Sequence, residues 1–330
     1  MTPPCPVCAG TDFSVLADAG RLREECGLRE RFVKQRLTRP AAAGELKDLT
    51  DFFHTETADL LACKICGLLL RHEHERPPAQ EYSEEEYDAD VIERQYPDFV
   101  NAFRDKQVPF RRLLPVSAWV LEIGSHIGAF LQVAAEWGWR AEGVDPGKYT
   151  SRFARSKGFV VHTGTVGECG FAAEMFDGVF IWNCFDQIED PASTLADCRQ
   201  ILRPGGLLTV RTPDGRFYTI CERVLRDPNV RDQAKEFVLH AMGYNNLLGF
   251  PYFYGYGRPT LQRLIESHGF RFCGAQPSEL LSFPLPEHPE WVQQEEREIS
   301  SELQILEKSI LRDRSGNSIG PWIEAWFRKS

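Results

Sequence analysis

Trp119-Val120-Leu121-Glu122-Ile123-Gly124-Ser125-His126-Ile127-Gly128 decides the fold. An apolar run interrupted only by Glu122 meets a glycine-bearing turn. Phe130, Leu131, Ala134 and Ala135 then fall on one helical face. The pattern predicts a buried strand over 118–123 and a helix over 128–137. Glycines at such a junction let the backbone approach a ligand closely, and the helix N-terminus supplies unsatisfied N–H donors.

The alternation continues downstream. Strands are expected over 140–144, 159–162, 178–182 and 207–212, with helices over 148–157 and 191–202. Pro191 opens the second of these helices and Pro204-Gly205-Gly206 stops it. Beyond it come a helix over 259–268 ended by Gly269, a strand over 270–274 and a long charged helix over 288–312. That helix carries Val292, Ile299, Leu303, Leu306 and Ile310 on one stripe. Residues 321–328 alternate as a final strand. Short apolar runs between helical patterns indicate a parallel sheet with crossover helices. Asp145 stands at the end of the strand over 140–144, 21 positions after Gly124. A carboxylate there can accept both ribose hydroxyls of an adenosine. A nicotinamide-binding fold shares that logic, but residues 124–129 read Gly-Ser-His-Ile-Gly-Ala and miss the dinucleotide fingerprint.

Further blocks follow in order: Phe176-Asp177-Gly178-Val179-Phe180, Asn183 through Pro191, and Ile201-Leu202-Arg203-Pro204-Gly205-Gly206-Leu207-Leu208. Their order and spacing resemble class I S-adenosylmethionine (SAM)-dependent methyltransferases over residues 118 to about 275, closing with 321–328. The resemblance implies an α/β, Rossmann-like doubly wound fold. Its seven-stranded sheet would be mostly parallel with an antiparallel last strand. It also implies that Gly124, Ser125, His126 and Gly128 line the methionine part of the cofactor, and that Glu122 orients the loop or meets the cofactor's amino group. Asp145 would bind the ribose, Thr165 would lie near the adenine, and Asn183 would face the methionine and the methyl donor. Two departures stand out. His126 replaces the family's middle glycine, where a positive φ is less freely available. Gln187 stands where relatives often have His and cannot act as a general base. His126, Asp186 and His240 are candidate bases by residue type only, so the catalytic residues stay unassigned.

Two Cys-x-x-Cys pairs, Cys5/Cys8 and Cys63/Cys66, precede these blocks. Four thiolates can surround a structural Zn²⁺ tetrahedrally, and the segment resembles the zinc ribbon that precedes some methyltransferase domains. The gap between the pairs predicts a helix over 21–37 with Leu22, Leu28, Phe32, Val33 and Leu37 apolar. Cys26, His54, His72 and His74 are spare candidate ligands. The expected layout is a small zinc-binding domain over 1–76, a linker and helical lead-in over 77–117 and a methyltransferase domain over 118–330. The stretch 77–90 reads as an acidic, proline-bearing linker. Within the methyltransferase domain, 213–258 is expected as an aromatic lid. Its part 244–258 clusters Tyr252, Phe253, Tyr254 and Tyr256 among glycines. Tyr252, Tyr254 and Tyr256 are the candidate acceptor contacts.

The chain of 330 residues carries 38 Lys plus Arg against 48 Asp plus Glu, a formal charge of −10. That balance argues against a non-specific binder of phosphate backbones. No run of 18 apolar residues exists, so no membrane span is expected. The N-terminus lacks a basic and apolar leader, and a cytoplasmic location is expected. The function expected is transfer of a methyl group from SAM to a small-molecule or glycan-linked acceptor. The alternative is a zinc-ribbon nucleic-acid-binding or scaffold protein with an inactive SAM-binding domain. Residues 21–39, with seven basic and three acidic side chains, lend it some support.

Overall fold

The computed structural model describes residues 4–38, 58–73, 89–105, 112–280, 289–313 and 315–330. The linker expected over 77–90 lies almost wholly outside the described residues, as do His54, His74 and the side chain of His72. Strand β1 (Phe13–Ala17) leads into helix α1 (Ala19–Gln35), whose cap Asp18 accepts from Arg21 N. This is the helix foreseen over 21–37. Its buried residues are Leu22 and, against expectation, Glu25 and Arg29. Strands β2 (Ala58–Cys63) and β3 (Leu69–Glu73) form an antiparallel hairpin. Helix α2 (Ala89–Asp105) falls within the stretch 77–117.

The βα alternation then runs as read from the sequence. Its elements are β4 (Trp119–Ile123), α3 (Ala129–Glu136), β5 (Arg140–Asp145), α4 (Lys148–Ser156), β6 (Val160–Thr163) and β7 (Phe176–Trp182). Helix α5 (Pro191–Ile201) has Asp190 as its cap and proline in its first turn. Strand β8 (Leu202–Pro213) begins earlier than expected. Leu202 pairs with Phe176 and Leu207 with Gly178, so the Pro-Gly-Gly run is a bulge inside the strand.

Helices α6 (Gly215–Arg226) and α7 (Asp232–Tyr244) follow. The short strand β9 (Tyr254–Gly255), helix α8 (Arg258–Glu266) and strand β10 (Phe270–Ser278) come next. Helix α9 (Glu290–Ser309) and strand β11 (Trp322–Lys329) complete the described elements.

Two sheets result. The larger has seven strands in the order β10-β11-β8-β7-β4-β5-β6. Strands β6, β5, β4, β7 and β8 pair in parallel, each with the next in that order. Val120, Leu121, Val179, Phe180, Leu208 and Val210 of its central strands have no exposed surface. Such strands read as near-continuous apolar runs because helices cover both faces. The smaller sheet, β1-β2-β3-β9, is antiparallel.

The chain divides into two compact units that interleave along the sequence. One comprises Met1–Ala79, Pro213–Leu261 and Gln276–Ile323, and the other Gln80–Thr212, Gln262–Ala275 and Glu324–Ser330. In the first, Leu22, Leu60, Leu69, Phe217, Met242, Leu248 and Leu303 share one apolar core. The aromatic stretch belongs to this unit: Leu70 pairs with Tyr254, and Leu69 with Gly255. The Arg71 guanidinium donates to the carbonyls of Gly249 and Pro251. Tyr256 has no exposed surface, whereas Tyr252 and Tyr254 are half-buried.

Candidate cofactor site

Strand β4 ends in a loop that three left-handed residues bend within five positions. Gly124 has φ +76°, His126 φ 46° and Gly128 φ 80°. The histidine thus adopts the backbone angle that the family's glycine would take. The loop is keyed to β5, because Gly124 N and Ser125 N both donate to Val144 O, at 2.8 and 3.1 Å. Contact leaves no room for a side chain at Gly124, where a Cβ would lie 2.5 Å from Cys184 Sγ. Gly143 of β5 is equally constrained: a Cβ there would meet Ser125 Oγ at 2.4 Å.

Glu122, inside β4, is 3% exposed, and its Oε2 has no hydrogen-bond partner among the described residues. Burial, and then the charge of Asp145, pushes its carboxyl well above the ordinary value. Ser125 Oγ is likewise buried and unpartnered among the described residues. Two open polar atoms beside a backbone cradle suit a ligand with a cationic or hydrogen-bonding group, since unmatched buried polar atoms are costly.

Asp145 ties the loops after β4 and β5 together. Its Oδ2 accepts from His126 N at 2.8 Å, and its Oδ1 accepts from Gly147 N at 2.9 Å and Thr150 Oγ1 at 2.7 Å. A carboxylate offers about four acceptor positions, so this arrangement leaves room for about one further donor. Accepting both hydroxyls of a ribose would require one present bond to yield. Thr150 was not singled out in the sequence, although a Thr five residues after a strand-end Asp could have suggested the contact.

Asn183 follows β7 with φ 61°. Its N–H donates to Arg211 O at 3.0 Å, and its Oδ1 accepts from Arg211 Nη1. Arg211 has no exposed surface and pairs through Nε with the buried Glu324 of β11 at 3.3 Å. Burial pulls the guanidinium down to about 10, against the opposing pull of Glu324. Sequence reasoning missed both residues. Their signal was a charge inside each of two largely apolar strands, 207–212 and 321–328.

Glu122, Gly124, Ser125, His126, Gly128, Asp145 and Asn183 therefore gather at the carboxyl ends of the adjacent strands β5, β4 and β7. Thr165 follows β6, one strand further out, and its N–H and hydroxyl both donate to Glu168 Oε2 at 2.8 Å. Of the candidate bases, Asp186 is buried in the turn Phe185–Gln187. His240 lies in the other unit, where Nδ1 faces Glu295 Oε1 at 3.2 Å. Tyr252, Tyr254 and Tyr256 also belong to that unit.

The cysteines form a second constellation. Cys5, Cys8, Cys63 and Cys66 place their Sγ atoms within 4.8 Å of one another. The Cys5–Cys66 and Cys8–Cys63 sulfur pairs are 3.5 Å apart, too far for disulfides. Zn–S bonds of about 2.3 Å give tetrahedral S···S edges of about 3.8 Å, so the donor set fits that ion. Each pair sits on a tight turn. Ala9 N donates to Cys5 O and Gly67 N to Cys63 O, both at 2.8 Å, with Gly67 at φ 80°.

No helix among the described residues is long and apolar enough to cross a membrane. A search of curated proteins gives no match. Solved structures with similar folds include a SAM-dependent methyltransferase from Archaeoglobus fulgidus, 18% identical. It covers 73% of this chain and 100% of its own, with a TM-score of 0.43. A SAM-dependent methyltransferase from Mesorhizobium loti is 14% identical over 66% of this chain and 95% of its own, with a TM-score of 0.43. Phosphoethanolamine N-methyltransferase 2 of Haemonchus contortus is 14% identical over 79% and 62%, with a TM-score of 0.45. The family model described as "Methyltransferase domain" matches residues 87–273, more than half of the sequence. With that match, the motif order that pointed to a family becomes membership: the chain belongs to the class I SAM-dependent methyltransferases.

Proposed function

We propose that the protein binds SAM on the loop 122–128 and transfers its methyl group to a small-molecule or glycan-linked acceptor. The observation that carries this reading is Glu122, a buried carboxyl group with one oxygen unpartnered among the described residues, beside a left-handed backbone loop. The methionine ammonium would supply the missing partner. Gly124, Ser125, His126 and Gly128 would line the methionine part, Asp145 would take the ribose, Thr165 would lie near the adenine, and Asn183 would face the methionine. When bound, SAM would supply an electrophilic methyl on a sulfonium, to be taken by an acceptor nucleophile in line as the methyl–sulfur bond breaks and the demethylated thioether leaves. The residues' contribution is then mainly alignment and exclusion of water. No general base is assigned. Acceptor recognition by Tyr252, Tyr254 and Tyr256 belongs to the same proposal, with Tyr252 and Tyr254 retaining exposed surface. A structural zinc on Cys5, Cys8, Cys63 and Cys66 is proposed from the sulfur geometry.

The test is calorimetry with SAM and its demethylated product. Hydrogen bonds to a charged group contribute roughly 1.5–3 kcal/mol, so Asp145→Ala should weaken both ligands at least tenfold while the circular-dichroism spectrum is retained. Unchanged affinity would refute the assignment. A screen of acceptors with methyl-labelled SAM then identifies the product.

A further inference from the structure

Asn183 is gripped twice by one residue. Its N–H donates to Arg211 O, and its side-chain oxygen accepts from the Arg211 guanidinium. Arginine only donates, so its presence settles which way the Asn183 amide points. Oδ1 faces Arg211, and the two N–H donors face the other way. Arg211 cannot turn aside, because Nε is engaged with Glu324 Oε1 and the side chain is entirely buried. Strand register completes the lock, since Arg211 of β8 pairs with Trp182 of β7, the residue before Asn183. The next residue, Cys184, packs its sulfur against Gly124, so the turn after β7 lies beside the loop that follows Glu122.

We infer that the buried pair Arg211–Glu324 is a positioning device that fixes the Asn183 amide as a donor toward the carboxylate of the methionine group. This rests on the cofactor reading above and adds a polarity to it. Glu122, an acceptor, would take the ammonium, and Asn183, held as a donor, would take the carboxylate. A side chain released from Arg211 could turn its oxygen toward that carboxylate or swing out of reach, and the hydrogen bond to the carboxylate would be lost. Neither Arg211 nor Glu324 touches the ligand; both act through Asn183.

The experiment compares three ligands by calorimetry: SAM, decarboxylated SAM, which lacks only the carboxylate, and 5′-methylthioadenosine, which lacks the whole amino-acid group. The wild-type protein should prefer SAM over decarboxylated SAM. The double variant Arg211→Met/Glu324→Leu removes both buried charges together, which spares the fold the cost of one left alone. It should weaken SAM roughly tenfold, the scale of one charge-assisted hydrogen bond, and leave the other two ligands unchanged.

Asn183→Asp provides an independent arm should the double variant fail to fold. It keeps the oxygen that Arg211 holds but replaces the donors by a second oxygen, and it should lose the same preference. Equal weakening of all three ligands would reduce the pair to a structural role and overturn the inference. So would a preference that survives in the variants. A wild-type protein that binds SAM and decarboxylated SAM equally overturns the inference alone. One that binds none of the three overturns the cofactor reading and the inference with it.

Discussion

An unliganded Glu122 is a buried acid whose ionised form is penalised first by burial and then by Asp145. Its pKa is raised, so it retains its proton above the usual carboxylate range. An ammonium docking beside it favours the ionised form. Binding of SAM should therefore release a proton, and affinity should rise with pH across the interval in which free Glu122 is still protonated. Calorimetry in two buffers of different ionisation heat reads this directly. Wild type should give buffer-dependent heats, and Glu122→Gln should give equal ones; equal heats in the wild type would contradict the assignment. Glu122 and Asp145 were legible in the sequence because each is an acid at a fixed place in a strand-turn-helix pattern. The φ of His126 was not, because residue type gives only a preference, and the bonds from Gly124 and Ser125 to Val144 O decide the loop's path. Arg211 and Glu324 were visible as charges, but 113 positions separate them. Only the strand order makes them neighbours.

The β2–β3 hairpin presents Cys63 and Cys66 to the turn that carries Cys5 and Cys8. An ion held by four thiolates adds its binding energy to the fold of such an element. Protein purified without chelator should contain about one equivalent of zinc, as a single site requires. Cys63→Ser should lose the metal and become more protease-sensitive around the hairpin; full metal content in that variant would exclude this ligand set. The cysteine spacing and the helix α1 were readable in advance. The strands flanking them were not, because β1, β2 and β3 are short and carry no clean alternation. Helices α6 and α7 were absorbed into an expected lid, although Asp214 caps the first by accepting from Arg216 N at 2.8 Å. The aromatic and glycine richness of 244–258 drew the reading. The pairing of Tyr254 with Leu70 shows that part of this stretch extends a sheet.

At the scale of the whole molecule, pH acts through a second buried cluster. Glu25 accepts from Tyr218 OH at 2.9 Å and from Gly249 N at 2.9 Å. Burial, then the neighbouring Glu222, pushes Glu25 up to about 8 from an ordinary 4.5. Burial pulls Glu222 upward too, but hydrogen bonds from Glu25 and Arg21 hold it low. A raised acid favours the fold fully below its unfolded value and loses that contribution as pH climbs through the folded value. Stability should thus decline between about pH 5 and 8, by up to about 1.4 kcal/mol per pH unit from this group, and then level. Glu25→Gln keeps an acceptor for Tyr218 and Gly249 and a donor for Glu222. Denaturant melts at intervals across that range should show a shallower decline in the variant; identical slopes would remove Glu25 as the source.

The place of β11 between β8 and β10 carries a consequence for biosynthesis. While a ribosome is still translating residues 214–321, β11 has not yet reached the β8 edge, nor Glu324 the Arg211 guanidinium. An open strand edge invites wrong pairing, and a guanidinium at that edge, still hydrated, resists being covered by an apolar intruder. Arrival of Glu324 neutralises that resistance. The resistance thus comes from Arg211 before the pair exists, and β11 is the strand that sets an acid opposite it.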